Sequence, residues 1–161
     1  MLGVADQWVL LTYRLPREPS TPRIALWRKL RRLGALQLID GLVALPLDAR
    51  NREQLEWLAD DVLEADGEAT VWIAQPGSAA ERSSLQRRMS AAAAAEYSEL
   101  IALAKAAGAL ESQARRRELV KLRRELHRVR RRDYFPPPER EHAEQALAAL
   151  AVTLDEEAVA R

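Results

Sequence analysis

Between residues 23 and 46 the spacing of apolar side chains changes from that of a helix to that of strands. In the first part, apolar residues recur every three or four positions with arginine and lysine between them: Ile24, Trp27, Leu30 and Leu33. Short apolar runs at 35–39 and 42–45 follow, separated by Asp40-Gly41, a typical two-residue hairpin turn. A basic helix that leads directly into a hairpin predicts a sheet packed on helices.

Residues that suit helix ends flank the basic helix. Thr21 is expected to cap its first turn, and Pro22 suits that turn because its missing N–H needs no partner there. Gly34 stands where a left-handed residue commonly ends a helix. The predicted boundaries therefore place the helix between Thr21 and Gly34.

The remaining elements of residues 1–76 complete a known order. Residues 8–13 are apolar on both alternating faces, as expected of a strand inside a sheet. A second helix, capped by Asp48 or Asn51 and closed by Gly67, has an apolar face that leads to a β-branched strand at 68–75: Leu55, Leu58 and Val62, with Leu63 on its flank. The order β-α-β-β-α-β predicts a ferredoxin-like α+β domain, with both helices on one face of an antiparallel sheet. One long bent strand in place of the hairpin is the alternative.

Pro76-Gly77 marks a predicted boundary, and residues 77–161 read as an extension of about three helices. The first covers 81–108, where Glu96 either points to a solvated edge or is a buried carboxylate that pairs with an arginine of a neighbouring helix. The second has an apolar seam that allows an antiparallel helix hairpin: Leu119, Leu122, Leu126 and Val129. Prolines 136–138 end it, and an acidic last helix at 139–160 can fold against it.

Several classes of function have no support in the sequence. Without cysteine there is no thiolate catalysis or cysteine-based zinc site, and His127 and His142 lack a metal-ligand spacing. No glycine-rich phosphate loop or nucleophile motif is present. We therefore expect no catalytic residues, no metal and no cofactor. Residues 1–7 show no signal-peptide pattern and no apolar run is long enough to span a membrane, so a cytoplasmic protein without a membrane partner is predicted.

The net charge of +1 conceals a strongly basic segment. Residues 111–134 alone carry +6, and arginine far outnumbers lysine in the chain. Two heptad rows of arginine flank the apolar seam: Arg116, Arg123 and Arg130, and beside them Arg117, Arg124 and Arg131. These rows, helped by Arg28, Arg31 and Arg32 of the first helix, are predicted to contact the phosphates of double-stranded DNA. The alternative is a solvated face paired with the acidic last helix.

Longer stretches of the sequence resemble a known family. Residues 8–46 read W-V-L-L-T-Y-R-L-P-R-E-P-S-T-P-R-I-A-L-W-R-K-L-R-R-L-G-A-L-Q-L-I-D-G-L-V-A-L-P. Later segments read E-Q-L-E-W-L-A, G-E-A-T-V-W, A-A-E-Y-S-E-L and R-R-R-D-Y-F. Together they resemble the N-terminal region of the ChrB family of bacterial chromate-resistance regulators. More distantly, the first strand and helix resemble the ferredoxin-like CRISPR-associated spacer-acquisition nucleases and a domain of phenylacetate-responsive repressors.

The resemblance implies a transcriptional regulator of a chromate-resistance operon, with the chromate oxyanion as effector. Full-length members of the family carry a further C-terminal domain to which chromate sensing is usually attributed, so sensing by residues 1–161 stays open. The nuclease relatives carry Asp after the first strand, where Arg14 stands here. Three hypotheses follow: a DNA-binding regulator, a structural or dimerisation module with internally paired charges, and a degenerate nuclease without activity. A symmetric homodimer is expected, since edge strands must be covered or paired.

Overall fold

The computed structural model describes residues 6–159, and the elements in this part of the chain follow the predicted order. They are β1 (Trp8–Arg14), α1 (Thr21–Leu33), β2 (Leu36–Ile39), β3 (Leu42–Pro46), α2 (Ala49–Glu64), β4 (Glu68–Ala74), α3 (Ala79–Ala107), α4 (Ser112–Arg131) and α5 (Glu139–Val159). The predicted α+β class, with β-α-β-β-α-β followed by three helices, is confirmed. Ala160, the predicted end of the last helix, and most of the segment 1–7 lie outside the described residues.

The four strands form one antiparallel sheet in the order β2-β3-β1-β4. The predicted hairpin joins β2 and β3, so the alternative of one bent strand is wrong. Its turn requires Gly41, which has a φ of 77° and whose added Cβ would lie 2.6 Å from the Tyr13 carbonyl oxygen. A side chain at that position would therefore meet both backbone strain and a clash.

Helix α1 begins and ends near the predicted residues, but it buries a different face. Ser20 takes the N-cap position without a side-chain hydrogen bond, so the predicted cap at Thr21 is wrong. Gly34 ends the helix with a φ of 72°, as predicted. The buried residues are Leu26 and Leu30. Two residues of the predicted apolar face, Ile24 and Trp27, are instead 47% and 54% exposed.

Helix α2 begins at the predicted cap, but its last turn is ended by Asp66 and not by Gly67 as predicted. The Asp48 side chain accepts a hydrogen bond from the Asn51 backbone N–H at 2.6 Å, which caps the helix. Leu55, Leu58 and Val62 are buried, as predicted, and Asn51 and Ala59 are buried beside them. At the other end the left-handed residue is Asp66, with a φ of 60°. The Gly67 N–H follows and donates to the Val62 carbonyl oxygen at 2.9 Å, so the helix ends in a Schellman motif.

Helix α2 packs on the sheet of the first unit. It lies against β1 and β4, and α1 lies beside α2; that both helices cover one face stays a prediction. Neighbouring residues of β1 and β3 that share one face of the sheet are almost completely buried: Val9, Leu11, Val43 and Leu45. These side chains and those from α1 and α2 form the core of this unit.

The described residues group into two compact units that divide at Gln86 and Arg87, inside α3. The assignment of domains to residues 1–76 and 77–161 stays a prediction. In the second unit α3, α4 and α5 share one core of buried side chains that includes Tyr97, Leu100, Leu122 and Leu147. Of the helices in residues 6–159, none is long and apolar enough to cross a membrane.

Candidate nucleic-acid interface

Helix α4 has one apolar side that is buried and one side that is almost entirely basic. Leu119, Leu122 and Val129 are at most 5% exposed and Leu126 packs against the same core, so the predicted seam is confirmed. Arg128, Arg130 and Arg131 occupy the last turn, where the negative end of the helix dipole favours cations. The seam therefore fixes α4 in the second unit and turns the arginine rows towards solvent.

Some arginines of α4 form ion pairs with carboxylates. Arg115 pairs with Glu157 of α5 at 2.7 Å and also donates to the Leu110 carbonyl oxygen at 2.8 Å. Arg130 pairs with Glu144 of α5 at 3.4 Å. Within the helix, Arg128 pairs with Glu125 at 3.0 Å. The acidic last helix thus pairs with two arginines of α4, one of which, Arg130, belongs to the predicted DNA-contacting set.

The other arginines of the two predicted rows are exposed and make no ion pair within residues 6–159: Arg116, Arg117, Arg123, Arg124 and Arg131. With 3.6 residues per turn they fall within an arc of roughly 120° around the helix axis and extend over about 22 Å along it. Val120, which is 49% exposed, and the exposed His127 lie in the same arc. We call these five arginines the free arginine face.

The three predicted residues of α1 form a second basic group, on the first unit. Arg28, Arg31 and Arg32 are all exposed. The guanidinium of Arg31 lies over the Trp27 ring, 4.9 Å from its centroid, in a cation–π contact. Arg28 and Arg32 make no ion pair among the described residues, whereas Lys29 pairs with Asp61 of α2 at 2.6 Å. The exposed tryptophan explains why spacing alone misplaced the buried face: Arg31, four residues after Trp27, supplies a partner for the ring at the surface.

A half-buried polar cluster joins α3 to the segment that follows α4. The side chain of Arg132 is 18% exposed and pairs with Glu96, while the Tyr97 hydroxyl donates to Asp133 at 2.8 Å. Of the two alternatives for Glu96, the pairing with an arginine is confirmed, but the expected burial is not, because the Glu96 side chain is 35% exposed. Its partner Arg132 is the C-cap residue of α4. The contact between Tyr97 and Asp133 was not predicted. This cluster orients the end of α4, and with it Arg130 and Arg131.

Burial controls the protonation of the two groups that share this hydrogen bond. It raises the pKa of Tyr97, and the hydrogen bond to Asp133 raises it further. Burial also raises the pKa of Asp133, against the opposing effects of the Tyr97 hydrogen bond and the Arg140 guanidinium. The Asp133 side chain is only 1% exposed, which accounts for the dominant effect of burial.

Within the part of the chain that the structure describes, no group of three or more His, Asp or Glu side chains is placed to bind a metal ion. Arg14 pairs with Glu68 across the sheet at 2.8 Å. The chemistry that the described residues support best is the binding of anions by arginine.

Together these features define an α+β protein in which a ferredoxin-like sheet is followed by an arginine-rich three-helix unit. The family model described as "Protein ChrB, N-terminal" matches residues 23–107, more than half of the chain. The chain belongs to the ChrB N-terminal family.

A curated relative extends this match along the chain. "Protein ChrB" of Cupriavidus metallidurans is 32% identical over 133 residues, which cover 80% of this chain. The same alignment covers 40% of the relative, so the chain spans less than half of that protein's length. No solved structure matches the chain.

Proposed function

We propose that this chain binds double-stranded DNA through the free arginine face of α4, as part of the regulation of a chromate-resistance operon. One observation carries the proposal: five exposed arginines on one side of one helix have no carboxylate partner within residues 6–159. Unpaired guanidinium groups in a row repel one another, and binding a polyanion relieves that repulsion. The alternative of internal ion pairing with α5 accounts for Arg115 and Arg130 only.

The dimensions of the face suit a phosphate backbone. Arg116 and Arg123, like Arg117 and Arg124, are separated by seven residues, or about 10 Å along the helix. The guanidinium group donates two parallel hydrogen bonds to a phosphate, which a lysine cannot do. An α-helix also fits the major groove, which is about 12 Å wide. Contacts of this kind position a protein on DNA without reading its sequence.

Helix α1 offers a second set of contacts. Arg28 and Arg32 are exposed and free of ion pairs among the described residues, and Arg31 is held over Trp27. A guanidinium stacked on an exposed indole keeps its outer N–H groups available for a phosphate. We assign these residues an auxiliary part in binding.

The regulatory context rests on family membership and on the resemblance described above. Operon control and the chromate oxyanion as effector belong to this proposal. Because the chain spans 40% of the relative from C. metallidurans, the effector site is not assigned to any residue here.

Fluorescence anisotropy with a labelled duplex from the upstream promoter tests the proposal. We expect the wild type to bind, and Arg123→Ala with Arg124→Ala to lose roughly a hundredfold or more in affinity, since each of the two charge-assisted contacts is worth about 1.5 kcal/mol or more. The matched control is Arg14→Ala with Arg52→Ala. It removes the same charge from two exposed arginines of the first unit that are paired with Glu68 and Glu56. Equal losses in both double variants, or no binding by the wild type, would contradict the proposal.

A further inference from the structure

The two edge strands of the sheet differ in how they are protected. Strand β2 has four residues, and its pairing with β3 shifts register between Gln37 and Ile39, which blunts this edge. Strand β4 has seven residues and pairs with β1 from Glu68 to Ala74 without interruption. It contains no proline, lysine or bulge, the devices that usually keep an edge from pairing with another chain.

The outer side of β4 is open in the structure. Within residues 6–159, the backbone of this strand makes no hydrogen bond to any element other than β1. Trp72 and Ile73 are 53% and 45% exposed, on opposite faces of the sheet. A long, apolar strand with unpaired backbone groups is a template for a further strand.

We propose that a second copy of this chain pairs with this edge, β4 against β4 in antiparallel orientation and centred on Val71. The two four-stranded sheets would then join into one of eight strands. The homodimer expected from the sequence would therefore form through β4, in the register centred on Val71. This inference does not depend on DNA binding.

The sequence of β4 is complementary to itself in that register. Trp72 of one copy lies opposite Thr70 of the other, and Ile73 lies opposite Ala69. Each large exposed side chain therefore meets a small one, on both faces of the joined sheet. Val71 meets its own copy at the two-fold axis, where a pair of β-branched residues is favourable.

Charge also favours this arrangement over others. Glu68 is the one ionisable residue of β4 and is already paired with Arg14. In the antiparallel register the two Glu68 carboxylates stand about 20 Å apart, since six residues of strand separate them. Helix α1, by contrast, has five basic and no acidic residues, so two copies of it would repel each other.

The two-fold pairing closes the assembly. Each copy uses its β4 edge once, and the edges left at the ends of the joined sheet are the blunted β2 strands. A dimer is therefore expected, without growth into longer chains. The contact is small, so its association should be weak and depend on protein concentration.

Sedimentation velocity over a hundredfold dilution series tests the register. We expect wild-type protein to change from dimer to monomer on dilution, and Thr70→Glu and Trp72→Lys each to be monomeric. An equimolar mixture of these two variants should form a heterodimer, because the glutamate of one copy then faces the lysine of the other and the second pair keeps its original Trp72 and Thr70. Ile39→Lys, on the exposed β2 edge, is the matched control and should associate like the wild type.

Amide hydrogen exchange on the wild-type protein tests the same surface without substitutions. Amides of β4 should become more protected as the protein concentration rises, and amides of β2 should not. Three results would each overturn the proposal: a wild-type monomer at every concentration, a dimer whose β4 amides exchange at a constant rate, or variants that fail to associate when mixed although each is folded.

Discussion

Replacement of Asp133 gives a sharp test of the buried cluster behind the arginine helix. The Asp133 carboxylate accepts a hydrogen bond from the Tyr97 hydroxyl at 2.8 Å, and its side chain is 1% exposed. Tyr97 itself is completely buried. Asp133→Ala would leave that hydroxyl without its acceptor, whereas Asp133→Asn keeps an oxygen in the same place.

The expected magnitudes follow from burial. An unsatisfied buried hydroxyl costs about 1–3 kcal/mol, so Asp133→Ala should lower the free energy of unfolding by about that amount. The Arg140 guanidinium adds little, because it lies 4.0 Å from Asp133 and also contacts Glu144. For Asp133→Asn we expect a smaller loss than for Asp133→Ala at neutral pH, since the acceptor for Tyr97 is kept and no charge has to be buried, although the new NH2 group replaces a buried oxygen that has no hydrogen-bond partner.

The pH dependence separates the two variants further. Burial raises the pKa of Asp133 in the folded protein, so the folded state binds this proton more tightly than the unfolded state does. The contribution of Asp133 to stability is therefore present at low pH and decreases as pH rises from the unfolded pKa through the folded one. Asp133→Asn lacks this titration and should gain stability relative to the wild type across that interval.

Urea unfolding monitored by circular dichroism at several pH values measures these differences. Tyr97→Phe provides a matched control, because it removes the same hydrogen bond from the other side. The reasoning would be refuted if Asp133→Asn were as destabilising as Asp133→Ala at neutral pH and if the stability difference between wild type and Asp133→Asn became smaller as pH falls. The ionised carboxylate would then be the stabilising species.

Three further predictions concern other parts of the structure. Leu26→Ala should destabilise the protein by about 2–5 kcal/mol and Trp27→Ala by much less, as measured by urea unfolding. The reverse order would mean that Trp27 and not Leu26 lies in the buried face of α1. Arg132→Ala should cost about 1–3 kcal/mol and Arg128→Ala less than about 0.5 kcal/mol, since only Arg132 has a largely buried side chain; equal costs would contradict a structural role for that cluster. Incubation of DNA or RNA with the protein and Mg²⁺ or Mn²⁺ should give no cleavage, because no three His, Asp or Glu side chains within residues 6–159 lie together as metal ligands; cleavage by protein free of contaminants would show a missed site.

Much of the fold could be predicted because periodicity and turn residues act locally. The change from helical to alternating spacing, Asp40-Gly41 and Asp48 each determine a nearby element, and these predictions are confirmed. The buried face of α1 could not be obtained in this way. Its leucines and its exposed Trp27 have overlapping helical spacings, and only the packing of α1 against its neighbours decides which set is buried.

The candidate site shows the same division. The arginine rows follow from the heptad spacing, and their placement beside a buried seam is visible in the sequence. Which arginines are paired depends on where α5 lies, because Glu144 and Glu157 come from 14 or more residues further along the chain. The hydrogen bond between Tyr97 and Asp133 spans 36 residues and left no local signal.

The salt dependence of DNA binding tests the central claim most directly. Each phosphate contact removed should flatten the slope of log affinity against log salt concentration by about 0.9. For Arg123→Ala with Arg124→Ala we therefore expect a slope smaller by about 1.8 than that of the wild type, on promoter and random duplexes alike. The melting temperature should not fall, because neither arginine has an ion-pair partner within residues 6–159 and the loss of two like charges weakens the repulsion along the helix. A lowered melting temperature with an unchanged slope would contradict the account and would mean that these charges stabilise the fold.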